Sequence, residues 1–195
     1  MKNDLLLKIY QQPQTVFTLA DIAMLARDIP YAALRRRLSY CVSQKRLLRP
    51  RWGVYAKKDF QLEELANKIY TPSYLSLQTI LQRAGIIFQE YQSLFFVSYL
   101  TRTVVCEGRE ICYQAMPREI LLENTGIVNG NYAAAIPERA FLDTVFLRGN
   151  YYFDNLSPLD WNKVFDMMKI YKSPKFEKRI RDYYRSFVKE NDVKP

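Results

Sequence analysis

Apolar residues recur at helical spacing through the first third of the chain, and the breaks between them divide it into short elements. Leu5, Leu6, Ile9 and Tyr10 mark one face of a first helix between residues 3 and 12. Thr18, followed by Asp21 and the run Ile22, Ala23, Met24 and Leu25, predicts a second short helix. The hydroxyl can accept from a free first-turn N–H, and the acid stands at the positive end of the dipole. Asp28, Ile29 and Pro30 then supply a turn, with Pro30 at the first position of the next helix and helix disfavoured in the residue before it. From about Pro30 to Gln44, Leu34, Leu38, Cys41 and Val42 return every three or four residues and predict a buried stripe. Ala32, Arg36, Ser39, Tyr40 and Ser43 fall on the opposite face, with Arg35 and Arg37 on its flanks.

Two short apolar runs follow, separated by Arg49, Pro50 and Arg51 and resumed through Trp52, Gly53, Val54 and Tyr55, which predicts a basic hairpin. Asp59 is expected to cap a helix that turns Leu62, Leu65, Ala66 and Ile69 inward and Glu63 and Glu64 outward. Thr71-Pro72 ends that pattern. The expected organisation is a head over residues 1–60, a connector helix over 61–70 and a second domain over 71–195.

In the second domain Ser76 is expected to cap a short helix carrying Leu77, Ile80, Leu81 and Ala84, ended by Gly85. Phe95 to Cys106 and Ile111 to Met116, on either side of Glu107, Gly108 and Arg109, predict an antiparallel hairpin. Pro117 stops the second strand, Glu119 to Val128 is expected to add another, and Asn129-Gly130-Asn131 is a turn. A helix from Pro137 to Arg148 buries Ala140, Phe141 and Val145 and ends at Gly149 and Asn150. Ser157-Pro158 and Ser173-Pro174 predict the starts of two final helices of about a dozen residues or more. The last buries Phe176, Ile180, Tyr183 or Tyr184, and Phe187, and exposes Lys175, Lys178, Arg179, Arg181, Arg185 and Lys189, a basic face that solvation alone explains. The expected fold is α+β: an N-terminal winged helix-turn-helix followed by a C-terminal α/β domain with a small, mainly antiparallel sheet and terminal helices.

The order helix, turn, basic helix, basic hairpin changes the meaning of the arginines. An arginine run is commonly a solvated face and a Trp-Gly pair commonly a turn, but in this order they fit double-stranded DNA. Arginine reads guanine edges in the major groove, and a basic hairpin lies along the phosphates. The candidate DNA-binding residues are Thr18, Tyr31, Arg35, Arg36, Arg37, Ser39, Tyr40, Ser43, Arg49, Arg51 and Trp52. A formal charge of +9 agrees with an anionic partner without choosing between nucleic acid and an acidic protein. With no histidine, the chain cannot build a Cys/His zinc finger, a His-Glu-x-x-His metalloprotease or a Ser-His-Asp triad. Cys41, Cys106 and Cys112 form no Cys-x-x-Cys pair and point to reduced thiols in the cytoplasm, and Leu5 to Leu7 is too short for a signal or a membrane span. Glu107, Glu110, Glu138 and Asp143 belong to no recognisable phosphate loop or carboxylate motif, so no enzyme and no cofactor are expected.

Three segments carry a family resemblance. Arg51-Trp52-Gly53-Val54-Tyr55, Pro72-Ser73-Tyr74-Leu75-Ser76-Leu77 and Ala135-Ile136-Pro137-Glu138-Arg139-Ala140-Phe141-Leu142-Asp143, in that order, resemble the AbiEi family. These are the antitoxin and transcriptional-regulator members of bacterial type IV toxin-antitoxin pairs, and the likeness spans about residues 5 to 148. The resemblance implies a winged-helix head that binds promoter DNA and a C-terminal domain serving antitoxicity and self-association on DNA. It also implies a functional partner that is a nucleotidyltransferase-like toxin, opposed without a stable complex. The alternative is a stand-alone winged-helix regulator whose second domain binds a ligand or dimerises.

Overall fold

The computed structural model describes residues 4–192; Asn3, expected in the first helix, and residues 193–195 of the second domain lie outside the described residues. The protein is α+β and divides into two compact units, Met1–Thr71 and Pro72–Pro195.

The first unit runs α1 (Asp4–Tyr10), β1 (Val16–Thr18), α2 (Leu19–Leu25), α3 (Tyr31–Ser43), β2 (Leu48–Arg51), β3 (Val54–Ala56) and α4 (Leu62–Ile69). Its three strands form an antiparallel sheet in the order β1-β3-β2. Leu5, Ile9, Phe17, Ile22, Leu34, Leu38, Leu47 and Tyr55 meet in one apolar core. Removing these side chains from water drives the helices onto the sheet. The sequence pattern did not announce β1, which is too short to show an alternation; it exists because Phe17 pairs across from Tyr55 on β3. Thr18 ends β1 and caps α2. Its Oγ accepts from Asp21 N at 3.1 Å while the Asp21 carboxylate accepts from Thr18 N at 2.9 Å, which completes a capping box. Pro30 is the N-cap of α3, one residue earlier than expected, with φ −56°.

Two expectations for α4 are corrected. Asp59 does not cap the helix: Gln61 holds the N-cap, and its backbone N–H donates to Thr15 Oγ at 3.0 Å, so a hydroxyl distant in sequence sets the helix entry. Glu64, expected outward, is fully buried. Its Oε2 accepts from Thr15 N at 2.8 Å and Thr15 Oγ at 2.6 Å, and its Oε1 from Val16 N at 3.1 Å. Lys68 also reaches Asp21 at 2.8 Å. Residues 61–70 are therefore fastened to β1 and α2 as part of the first unit.

That ion pair gives a pH-dependent prediction. Burial pushes the Asp21 carboxyl up, but Lys68 and the Thr18 amide and hydroxyl outweigh it and hold the carboxyl below its ordinary value. A depressed carboxylate contributes stability above its unfolded pKa and loses it as the pH falls through the folded one. Asp21→Asn should cost about 1–2 kcal/mol at neutral pH. In urea titrations the gap from wild type should shrink steadily below the ordinary aspartate range, and a gap independent of pH would refute this role.

The second unit comprises β4 (Ser73–Leu75), α5 (Leu77–Arg83), β5 (Leu94–Ser98), β6 (Arg102–Cys106), β7 (Arg109–Ala115) and α6 (Arg118–Leu121). It continues with β8 (Ile127–Asn129), β9 (Ala133–Ala135), α7 (Pro137–Arg148), α8 (Trp161–Met167), a 3-10 turn over Met168–Tyr171 and α9 (Pro174–Asp192). Its sheet has six strands in the order β6-β7-β5-β4-β9-β8 and is mixed: three pairings are antiparallel, in line with the mainly antiparallel sheet expected, and the parallel pairings β4-β9 and β5-β7 are additional. The stretch expected as one strand from Phe95 breaks at Tyr99–Thr101, and its halves take opposite sides of β7. β5 lies parallel to β7 and β6 antiparallel. Thr101 Oγ accepts from Ala115 N at 3.1 Å and holds the break. The tight turn lies at Glu107-Gly108, both at positive φ (50° and 73°), the conformation a two-residue hairpin requires.

Other local readings shift for identifiable reasons. Glu119 to Val128 opens as α6 and only reaches β8 at Ile127, since Pro117 starts a helical turn as well as stopping a strand. Ser157-Pro158 does not start α8; Asp160 does, accepting from Asn162 N at 3.0 Å and Lys163 N at 3.4 Å. Ser173 does cap α9, accepting from Phe176 N at 3.3 Å. Ser76 occupies the N-cap of α5 without capping it, because its hydroxyl donates to Asp143 at 2.8 Å.

α7 is the central element of this unit. Every residue from Glu138 to Val145 is buried. Phe141 packs against Phe153, Trp161 and Tyr183 with ring centroids 4.9–5.9 Å apart. Backbone passes close beside it at Gly126 (φ 79°), where a β-carbon would stand 2.6 Å from Met167 Sδ and 3.0 Å from Arg139 Cβ. Only glycine satisfies both the conformation and the space.

Candidate nucleic-acid interface

α3 presents two unlike faces. Leu34, Leu38 and Cys41 are buried and Val42 is half-buried, which fixes the helix on the core. Ala32, Arg35, Arg36, Arg37, Ser39, Tyr40 and Ser43 are exposed, and α3 contains no acidic residue. Ala32, Arg35, Arg36 and Ser39 line one shallow, open depression. At about 100° per residue Arg36 stands opposite the buried stripe, while Arg35 and Arg37 flank it on different sides. Asp28 stands in the turn before α3. That carboxyl is held below its ordinary value by a backbone hydrogen bond, then by Lys8 at 3.4 Å, with Arg37 a lesser contributor. The three arginines are therefore not equivalent: Arg35 and Arg36 share the depression, and Arg37 does not line it.

Tyr31 and Tyr40 are each 58% exposed, at the start and on the outer side of α3. The Ser43 hydroxyl donates to Tyr40 O at 2.9 Å, so its donor is already engaged within the helix. Thr18 lies at the junction of β1 and α2 with its hydroxyl committed to the cap, and the expected site therefore includes one residue whose side chain has a structural task.

The β2–β3 hairpin carries Arg49, Arg51 and Trp52, all exposed. Leu48 pairs with Ala56 and Arg51 with Val54, so β2 contains one residue more than β3 between those pairs. A bulge therefore falls at Arg49-Pro50, where proline has no ladder hydrogen bond to lose. Gly53 takes φ 76° in the two-residue turn, and its carbonyl accepts from Leu19 N at 3.0 Å, which ties the tip to the start of α2. The Arg49 guanidinium sits 5.2 Å from the Trp52 ring centroid, and that of Arg51 5.7 Å from the Tyr70 ring. Lys57 faces inward instead: it is buried, donates to Gln12 O at 2.6 Å, and contributes no exposed charge.

The acids weighed for catalysis are not brought together. Glu107 and Glu110 are exposed at the β6–β7 hairpin, and Glu138 is buried and accepts from Asp160 N at 3.1 Å. Asp143 is fully buried in a polar cluster. Its Oδ1 accepts from Tyr171 Oη at 2.7 Å, Arg139 Nε at 3.2 Å and Tyr74 Oη at 3.3 Å, and its Oδ2 accepts from Ser76 Oγ at 2.8 Å. Arg139 also donates to the carbonyls of Ile120 at 2.8 Å and Thr125 at 2.9 Å. Every group is engaged and none opens to solvent, the arrangement of a structural network. Sequence reasoning weighed Asp143 as a catalytic acid and missed Arg139; the available signal was their four-residue spacing across the apolar run Ala140, Phe141 and Leu142. Among the described residues no three acids or thiols converge as a cation site requires, and no helix is long and apolar enough to cross a membrane. The chain matches no protein-family model and no curated protein sequence.

Proposed function

We propose that the first unit is a winged helix-turn-helix that lays α3 in the major groove of DNA, and that the chain is a transcriptional regulator. The observation that carries this reading is the acid-free, arginine-bearing face of α3, held outward by the burial of Leu34, Leu38 and Cys41. The element order α1-β1-α2-α3-β2-β3 and the strand order β1-β3-β2 support it, since α2 and α3 follow as a helix-turn-helix and the β2–β3 hairpin stands as the wing. Arg36 and Arg35 are assigned to base edges and adjacent phosphates, and Arg49 and Arg51 to the backbone.

The resemblance to the AbiEi family extends the proposal to a cytoplasmic autorepressor and antitoxin opposing a nucleotidyltransferase-like toxin. The full chain with Arg35, Arg36 and Arg37 changed to alanine is expected to lose repression of its upstream promoter and to keep rescue from the neighbouring toxin, at protein levels matched to wild type. Repression by that variant would remove α3 from the interface. Absence of rescue by the wild-type chain would leave a regulator without antitoxin activity.

A further inference from the structure

Trp52 is 77% exposed, although an indole is among the side chains water least favours on a surface. Its surroundings hold it there. The turn has two residues, its Gly53 carbonyl is fixed by Leu19 N at 3.0 Å, and Pro50 stiffens the bulge behind it. The Arg49 guanidinium stands over the ring, 5.2 Å from its centroid. Only Trp52 and Gly53 lie beyond the strands, so Trp52 is the one large side chain at the tip of a hairpin whose arginines sit on the strand behind it. We propose, on the basis of the DNA-binding reading above, that Trp52 is the tip's contact with a duplex: an aromatic wedge that stacks on a sugar or base edge in the minor groove beside the α3 site. Arg49 covers the ring and supplies charge to the flanking phosphate.

The alternative is that Trp52 only positions Arg49, and the two roles separate by measurement. A stacking contact releases no counterions, whereas a lost phosphate contact lowers the salt slope of binding. With a mixed-sequence DNA duplex as probe and the full chain, Trp52→Ala should weaken binding about ten- to a hundredfold with the salt slope unchanged. Trp52→Phe should recover most of that loss, and Arg49→Ala should reduce the slope by about one. The chain has two tryptophans, and Trp161 packs among Phe165, Tyr184 and Phe187. Adding the duplex should therefore quench fluorescence in wild type and leave it unchanged in Trp52→Phe. If wild type binds but Trp52→Ala binds equally well, or loses slope as Arg49→Ala does, the wedge is overturned and the α3 reading stands. If wild type binds no duplex while properly folded, both fall.

Discussion

Asp143→Asn is expected to lower the stability of the protein by about 3–5 kcal/mol, the cost of leaving one member of a buried ion pair without its partner. Arg139 is fully buried, and its guanidinium relies on Asp143 for countercharge, with carbonyls and the Tyr74 hydroxyl filling its other donors. Burial holds the Asp143 carboxyl above its ordinary value, and Arg139 with the hydroxyls of Tyr171, Ser76 and Tyr74 opposes that rise without cancelling it. Four donors converge on two oxygens, one of them a guanidinium N–H that can only donate, so the geometry favours the carboxylate. Asparagine turns one of those oxygens into a donor facing donors. Because the network joins β4, the start of α5, α6, α7 and the 3-10 turn, the loss should spread through the second unit. Calorimetric unfolding with amide hydrogen exchange would show it. A loss within about 1 kcal/mol would mean that the cluster reorganises around the amide.

Glu64→Gln should cost about 3 kcal/mol, since hydrogen bonds to a buried carboxylate are worth more than neutral ones and an unsatisfied buried N–H carries its own penalty. One carboxylate oxygen serves Thr15 and the other serves Val16. The glutamine amide group must point toward one of those N–H donors. The affected segment leads into Thr18 and α2, so the substitution should loosen β1 before it disturbs α3. Equilibrium unfolding gives the magnitude, and hydrogen exchange at Val16 and Phe17 gives the place. Unchanged protection at both amides would refute the assignment.

These two carboxylates also show what the sequence could not convey. Glu64 was expected on the wet side of α4 because charged residues usually lie there, and its partners are 48 and 49 residues away. The same holds for Asp143, whose hydroxyl donors come from Tyr74, Ser76 and Tyr171, up to 69 residues distant. What was legible depended on neighbours three or four residues apart: the buried stripe of α3, the Thr18–Asp21 box, Gly149 after α7 and Ser173 before α9. Strand order escaped for the same reason as the buried acids, because the break at Tyr99–Thr101 matters only through Ala115 on another strand. The arginines of α3 were placed on their faces by spacing, but the depression that Arg35 and Arg36 line and Arg37 does not became visible only in the folded unit.

The most direct test of the central claim is a titration of the full chain against a duplex from its upstream promoter and a scrambled duplex, at several salt concentrations. Wild type should bind both, prefer the promoter, and weaken steeply with salt. Arg36→Ala should lose about 1–3 kcal/mol on the promoter and discriminate less between the duplexes, while Arg51→Ala should weaken both alike and lower the salt slope by about one. Variants that bind both duplexes as wild type does, or a folded wild type that binds neither, would contradict the assignment of α3 and its hairpin to DNA.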